Sequence, residues 1–523
     1  MDCLIIGGGL AGWMAARECA AAGLTVCLME DGQGASPWVH GFNAPVHPDD
    51  SPECFLQDTL QSGQGLSTPA LARALCQDAR PVFDSLRQMG LSFNREGDGY
   101  QLLRPLGASH PRVASIGNET GVEVLKALHR ELEGRVQDMP GVRAVRLLTR
   151  DGRATGALAY NQKTGQWLTV QAKAVILACG GYCGIFPVST NKRDSGGDGI
   201  GMAWNAGAKL CDMEFIQFEP SAAVWPEALI GTSVITTLLF EGAVLRNKDG
   251  ERFMLRYGPE GERMGKDVMA RRIAAEVAAG RGTPHGGVYF DATGVGRERL
   301  ETGYAMYVER YRNVGIDLAA QWIELGPAPH TSLGGVCIDD QCRTTLPGLF
   351  ACGEVVGGLH GANRIGGNAG LETLVFGRRA GISAAAYARS AAEPGEEAVE
   401  KMPYDSESCA PQLTLLRQRM RQALAAGVGA VRQEQSLAEC TAVLQDCLEQ
   451  AMTLHGADAQ EAFQRYRLEN DLIAALLTAK AALARRDTLG CHTRSDYPDA
   501  ARPPYRLTFQ KGEGGIEAKR ESI

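Results

Sequence analysis

The sequence predicts an α/β protein built on a Rossmann-like domain whose strands come from two distant parts of the chain, followed by a helical region. Three observations carry that expectation. A strand, glycine turn, helix and second strand follow one another within the first 31 residues; the runs AVILACGG (from residue 174) and LFACGE (from residue 349) are short and continuously apolar; and from about residue 395 the apolar residues recur with helical spacing.

Asp2 to Glu30 reads as one βαβ unit: a strand, an alanine-rich helix (AGWMAARECAAAG) and the strand LTVCLME. Gly7, Gly9 and Gly12 form GxGxxG, with Leu10 and Ala11 opening the helix. Gly7 permits the tight turn, Gly9 lets the backbone approach a pyrophosphate, Gly12 lets the helix pack on the sheet, and the helix N-terminus faces the phosphate charge. Glu30, followed by Asp31, stands where a carboxylate accepts from ribose hydroxyls. The motif alone serves NAD equally well; its strand, helix and acid in the expected places strengthen it.

Residues 55 to 135 alternate helical periodicity with a glycine- and proline-rich connection, and strands return at VRAVRLLTR, ATGALAYN and AVILACGG, the last closed by Gly180 and Gly181. A polar glycine loop, STNKRDSGGDGIGMAWNAGA, leads into a helix. Gly353 and Glu354 end the second buried run, where glycine allows backbone contact with a pyrophosphate or ribityl chain and the acid binds a hydroxyl. Two distant halves converging on one long cofactor favour FAD over NAD.

Composition sets limits. With 44% hydrophobic and 22% charged residues in 523, the chain suits two or three globular domains. A net charge of -8 gives no basic footprint for nucleic acid, no run is long and apolar enough to insert in a membrane, and the first residues enter a strand directly, so a cytoplasmic protein is expected. The 15 cysteines are scattered without metal-ligand spacing, so no metal is expected; Cys179 and Cys183 are candidate redox partners, though packing explains them as well.

Residues 360 to 372, HGANRIGGNAGLE, closely resemble the flavin-binding signature of the succinate dehydrogenase/fumarate reductase flavoprotein family, which includes L-aspartate oxidase. The resemblance runs in motif order to about Pro498. It implies FAD held by Arg364, Gly367, Asn368, Ala369 and Leu371 from this stretch and by Thr190, Asn191 and Asp198 from the polar loop. It also implies a Rossmann-like FAD-binding domain in two parts (1–221 and 327–392), an inserted α+β capping domain (222–326), a C-terminal helical domain (393–500) and a polar tail (501–523) expected to be frayed. The histidine that carries the flavin covalently in some members has no match, since His40 comes a few residues late, so FAD is expected to be non-covalent.

Family members that act on a C–C bond beside a carboxylate need cations on the carboxylate and an acid or base for the second proton. By the resemblance, His330 in PAPHTSLGG and Arg364 are substrate-binding positions. Leu239 replaces the arginine expected to deliver the proton, Ile235 and Thr236 replace a threonine and a glutamate, and Glu219 stands for a histidine. Candidate proton carriers are therefore Glu241, Glu219 and His330, and the apolar Ile235, Leu238, Leu239 and Phe240 would suit a substrate with one carboxylate or carbonyl end and an apolar body rather than fumarate or succinate. The leading expectation is an FAD-dependent oxidoreductase acting on such a C–C bond. The alternatives are an L-aspartate oxidase-like C–N oxidase, a flavoprotein subunit relaying electrons to an iron–sulfur partner, and a ligand-binding flavoprotein without turnover.

Overall fold

The computed structural model describes residues 1–105, 107–395, 404–500, 503–512 and 515–523. Its centre is a five-stranded parallel sheet in the order Leu349–Ala351, Ala174–Leu177, Cys3–Ile6, Val26–Glu30, Gln137–Pro140. Cys3 pairs Ala174 on one side and Val26 on the other, so the first strand is central. Its residues and those of AVIL are buried on both faces, which is why both read as unbroken apolar runs.

Helix Leu10–Ala21 packs along helix Asn368–Ser390, joining the two distant halves of the domain. A Cβ at Gly377 would lie 2.6 Å from Ala11 O and one at Gly381 2.5 Å from Ala15 O, so these glycines set how closely the helices approach.

The inserted region is an antiparallel sheet in the order Ile216–Trp225, Ile323–Ser332, Val288–Asp291, Val244–Arg246, with helices that include Lys266–Glu276 and Ala305–Arg312. It has its own apolar core, containing Leu245, Phe253, Ile273, Phe290 and Tyr311. The expected limits at 222 and 326 each fall inside a strand, because Ile216–Trp225 and Ile323–Ser332 pair with one another as they run from the sheet's base into the cap.

Helices Ala410–Gly427, Glu434–Thr453 and Ala459–Ala484 form the C-terminal bundle, and their buried leucines merge with the core beside the parallel sheet. Asp458 caps the last helix by accepting from Glu461 N at 2.8 Å. At its other end the buried Arg494 of GCHTRSDYP donates to the carbonyls of Ala482 and Arg485, each at 3.1 Å, satisfying acceptors that the helix end leaves open.

The tail is not frayed. Tyr505–Gly512 and Gly515–Ser522 form an antiparallel hairpin, which extends a second sheet by pairing with Leu210–Cys211. Leu507 and Phe509 alternate into the core and anchor an otherwise polar ribbon. The expected start of the tail, at residue 501, lies outside the described residues.

Candidate active site

The first turn is a backbone problem. Gly7 has φ +123°, and a Cβ there would lie 2.2 Å from Ala178 O; a Cβ at Gly12 would lie 1.9 Å from Gly7 O. Neither position tolerates a side chain. Helix Leu10–Ala21 starts at Gly9, which has no side chain to cap it; Ser36 Oγ accepts from Leu10 N at 2.9 Å, and the rest of the positive helix end lines the cleft.

That cleft, about 310 Å³, runs from this turn to the base of the cap. From the first half of the domain it is lined by Gly7, Gly9, Leu10, Ala11 and Asp31, then by Gly180, Thr190, Asn191 and Asp198. The second half adds Gly353, Glu354, Arg364, Gly367 and Ala369.

Five expected contacts lie behind this wall. Gly12 packs against Gly7, and Gly181 makes room for Glu354, whose Oε1 lies 2.1 Å from where its Cβ would be. Asn368 accepts from Asn43 Nδ2 at 2.6 Å, and Leu371 belongs to the core. Glu30 stands just outside the lining with Oε2 buried and without a partner. Burial, then Asp138, raises its pKa. A buried, unpartnered carboxylate oxygen beside a glycine turn fits the hydroxyl donors of a ribose, so the residues present suit an adenine dinucleotide.

Two expected contacts have other work as well. Asp198 accepts from Arg143 Nε at 2.9 Å and Nη2 at 2.6 Å, while Arg143 Nη1 holds Asp31 at 2.9 Å. Arg143 thus ties two acids of the wall together, and the sequence reading missed it. Asn191 donates to His330 O at 2.9 Å, anchoring the polar loop to the cap strand. The helical bundle braces the same loop through Asp471, which accepts from Gly197 N at 2.7 Å. His40 is exposed, with Nδ1 3.3 Å from Asn118 O. Cys179 and Cys183 are free thiols; burial pushes Cys179 up to about 12 and Cys183 well above its usual value.

At the cap end, Gln217, Glu219 and Ser221 lie on strand Ile216–Trp225, whose register shifts after Gln217 and again after Glu219. Gln217 Oε1 accepts from Arg364 Nε at 3.1 Å, and its Nε2 donates back to Arg364 O at 3.1 Å, so the amide fixes both ends of that residue. Glu219 accepts from Ser221 Oγ at 2.8 Å and from Lys266 Nζ at 2.5 Å. Burial alone would raise the Glu219 pKa, but the charge of Lys266 and the hydrogen bonds from Lys266 and Ser221 bring it below the usual value, so it is ionised.

His330 Nδ1 is 3.0 Å from Thr190 Oγ1. Burial, reinforced by the charges of Lys266 and Arg364 against that of Glu219, lowers the His330 pKa to about 4, so at neutral pH the ring is uncharged. Burial raises Glu354 to about 7; it accepts from Ser332 N at 3.1 Å. His330, Arg364, Glu219 and Lys266 therefore act electrostatically on one another where cap and cofactor domain meet.

The remaining candidates lie elsewhere. Glu241 accepts from Arg299 Nε and Nη2, both at 2.7 Å, and from Tyr304 Oη at 2.7 Å, an ion pair on the cap. Leu238 and Leu239 belong to the cap core, while Ile235 and Phe240 are exposed, so the four do not form an apolar wall for a substrate. Lys266, a residue the sequence reading passed over, brings a cation to Glu219 and His330 at this junction. Its signal was its place: a lysine in the first turn of a helix opposes the helix dipole, which costs about 0.3–1 kcal/mol unless a partner holds it.

Comparison with known proteins adds identity to this geometry. A family model described as FAD binding domain matches residues 2–369, and one described as fumarate reductase flavoprotein C-term matches 417–507. One subunit of the fumarate reductase (CoM/CoB) of Methanothermobacter marburgensis is 37% identical over 97% of this chain and 96% of its own length. The L-aspartate oxidase of Streptomyces coelicolor is 32% identical over 95% of this chain and 89% of its own. Among solved structures, Mycobacterium smegmatis Sdh1 superposes with a TM-score of 0.89 at 30% identity, covering 100% of this chain and 94% of that one.

Proposed function

This chain belongs to the succinate dehydrogenase/fumarate reductase flavoprotein family and is an FAD-dependent oxidoreductase, and we propose that it transfers a hydride between flavin N5 and a C–C bond next to a carboxylate or carbonyl. The observation that carries this reading is the meeting of Arg364, neutral His330 and the Lys266–Glu219 pair at the junction of cap and cofactor domain.

When bound, FAD supplies the two-electron hydride chemistry. The chain's residues supply the rest. Arg364, held by Gln217, takes the carboxylate, and neutral His330 contributes a directed hydrogen bond. Lys266 delivers a proton to the carbon next to the one that receives the hydride in reduction, and Glu219 holds the ammonium in place. In the oxidative direction the same pair accepts the proton. The cap closes the cleft from water with strands continuous with its base. Tightly but non-covalently held FAD is part of the reading, supported by the absence of a histidine at the attachment position.

Leu239, the sequence's reason for expecting a substrate other than fumarate or succinate, turns away into the cap core; that expectation now rests on Glu219. The test is anaerobic flavin absorbance, with oxidised and reduced holoprotein mixed with enoates, saturated acids and amino acids. Reoxidation by an enoate or bleaching by its saturated acid is expected. Bleaching by amino acids alone, with hydrogen peroxide on admission of air, would instead establish the C–N oxidase.

The Methanothermobacter relative is named as one subunit of its reductase, which supports a further part of the reading, an electron-transfer partner. Affinity purification from the native source is expected to bring down a cysteine-rich protein. Isolation of the chain alone, with full turnover from a small-molecule donor, argues against it. Among the described residues no helix is long and apolar enough to cross a membrane.

A further inference from the structure

Beside His330, where cap and cofactor domain meet, two cations act, Arg364 in the cleft lining and Lys266 on the cap, and only Arg364 lacks a carboxylate contact. Arg364 is engaged by neutral acceptors, Gln217 Oε1 at 3.1 Å and Ile365 O at 3.3 Å, and among the described residues no carboxylate contacts its guanidinium. Lys266 touches Glu219, which is 5% exposed and whose other oxygen is held by Ser221. His330 between them is uncharged. The acids further out, Glu354 and Glu372, act on Arg364 in the direction that lowers the positive potential.

An incoming ligand therefore meets one guanidinium with no carboxylate in contact and one neutral ion pair. A second carboxylate would have to displace Glu219 from Lys266 or lie beside it as a like charge, shielded from water, which weakens its binding. An uncharged acceptor meets no such barrier, because the ammonium has N–H groups left after Glu219 takes one.

We propose that this cleft selects monoanionic substrates: acids with a single carboxylate, held by Arg364, whose other end is an uncharged group placed against the Lys266–Glu219 pair. The inference rests on the C–C reading above and adds to it the substrate's charge, with Glu219 as the residue that sets it.

Fumarate, monomethyl fumarate and dimethyl fumarate share one double bond and carry two, one and no negative charges. Anaerobically reduced holoenzyme is expected to be reoxidised by the monoester with kcat/KM at least about tenfold above that for fumarate, with the diester slow for want of a carboxylate. Esterification also makes the double bond more electrophilic, so binding is measured separately, by titrating the oxidised flavin spectrum with succinate and monomethyl succinate. The monoester is again expected to bind about tenfold tighter. In Glu219→Gln the preference should narrow or invert, since the dianion then meets two free cations. Wild-type enzyme that binds succinate as well as its monoester, or turns over fumarate as fast, overturns charge selection and leaves the C–C reading standing. A flavin indifferent to all these acids overturns both.

Discussion

On the nucleotide side of the cleft the deciding positions are places where a side chain cannot be, whereas on the cap side they are side chains that must meet. Gly7 and Gly12 act by leaving room for Ala178 O and Gly7 O, within a few residues of one another or across one strand pair. Glu219 and Lys266 act by contact across 47 residues of sequence, one on a strand and the other at the start of a helix. The first kind of determinant is set by the backbone alone and is lost altogether by adding one carbon. The second is set by the packing of the cap, and can be exchanged for another cation if geometry allows.

The largest expected effect tests the first wall. Gly12→Val places branched carbons against Gly7 O, already 1.9 Å from a Cβ, and is expected to yield protein without flavin, read as the ratio of 450 nm to 280 nm absorbance. Full flavin content in that variant would show that the turn has slack the geometry does not display.

On the cap side, Lys266→Met should keep its flavin and lose turnover by about 10²–10⁴, the usual cost of removing a positioned acid or base. Lys266→Arg is expected to recover much of that loss. Equal rates in wild type and Lys266→Met, with the substrate found above, would remove the lysine from the chemistry.

A smaller effect concerns pH. The folded-state pKa of His330 lies near 4, below the 6.5 of an unperturbed histidine, so the unfolded chain binds the proton more readily between those values. The contribution is fully present above about pH 6.5 and is lost as pH falls toward about 4. His330→Gln should flatten that part of a Tm-against-pH curve relative to wild type; an unchanged slope would assign the acid sensitivity to other groups.

Smallest of all is Glu241→Gln. Glu241 meets Arg299 on the cap surface, and exposed pairs contribute about 0–1 kcal/mol, so turnover should stay within about twofold and Tm should shift slightly. A large fall in kcat would bring Glu241 into the cleft and weaken the contrast between the two walls.

Much of the molecule was legible because its constraints are short-range. The βαβ unit, the two buried apolar runs and the long helix after HGANRIGGN each carry their periodicity or glycine spacing within about a dozen residues. The terminal hairpin was not, because only Leu507 and Phe509 mark it and its sheet partner, Leu210–Cys211, lies some three hundred residues earlier. Leu239 shows the opposite error. Counting back from EGAVLRN locates a residue in the chain, yet the side chain turns into the cap core.

The sequence by itself determined the Rossmann-like core, since glycine turns and apolar periods act through near neighbours in the chain, and its resemblance to a known family carried the FAD cofactor and the order of the inserted and C-terminal regions. Only tertiary structure decided which cation Glu219 meets and which acids, such as Glu241 and Asp198, are engaged elsewhere. Charge pairing depends on distance in space, and the distance between Lys266 and Glu219 is fixed by how a cap helix packs on a strand that rises from the cofactor domain.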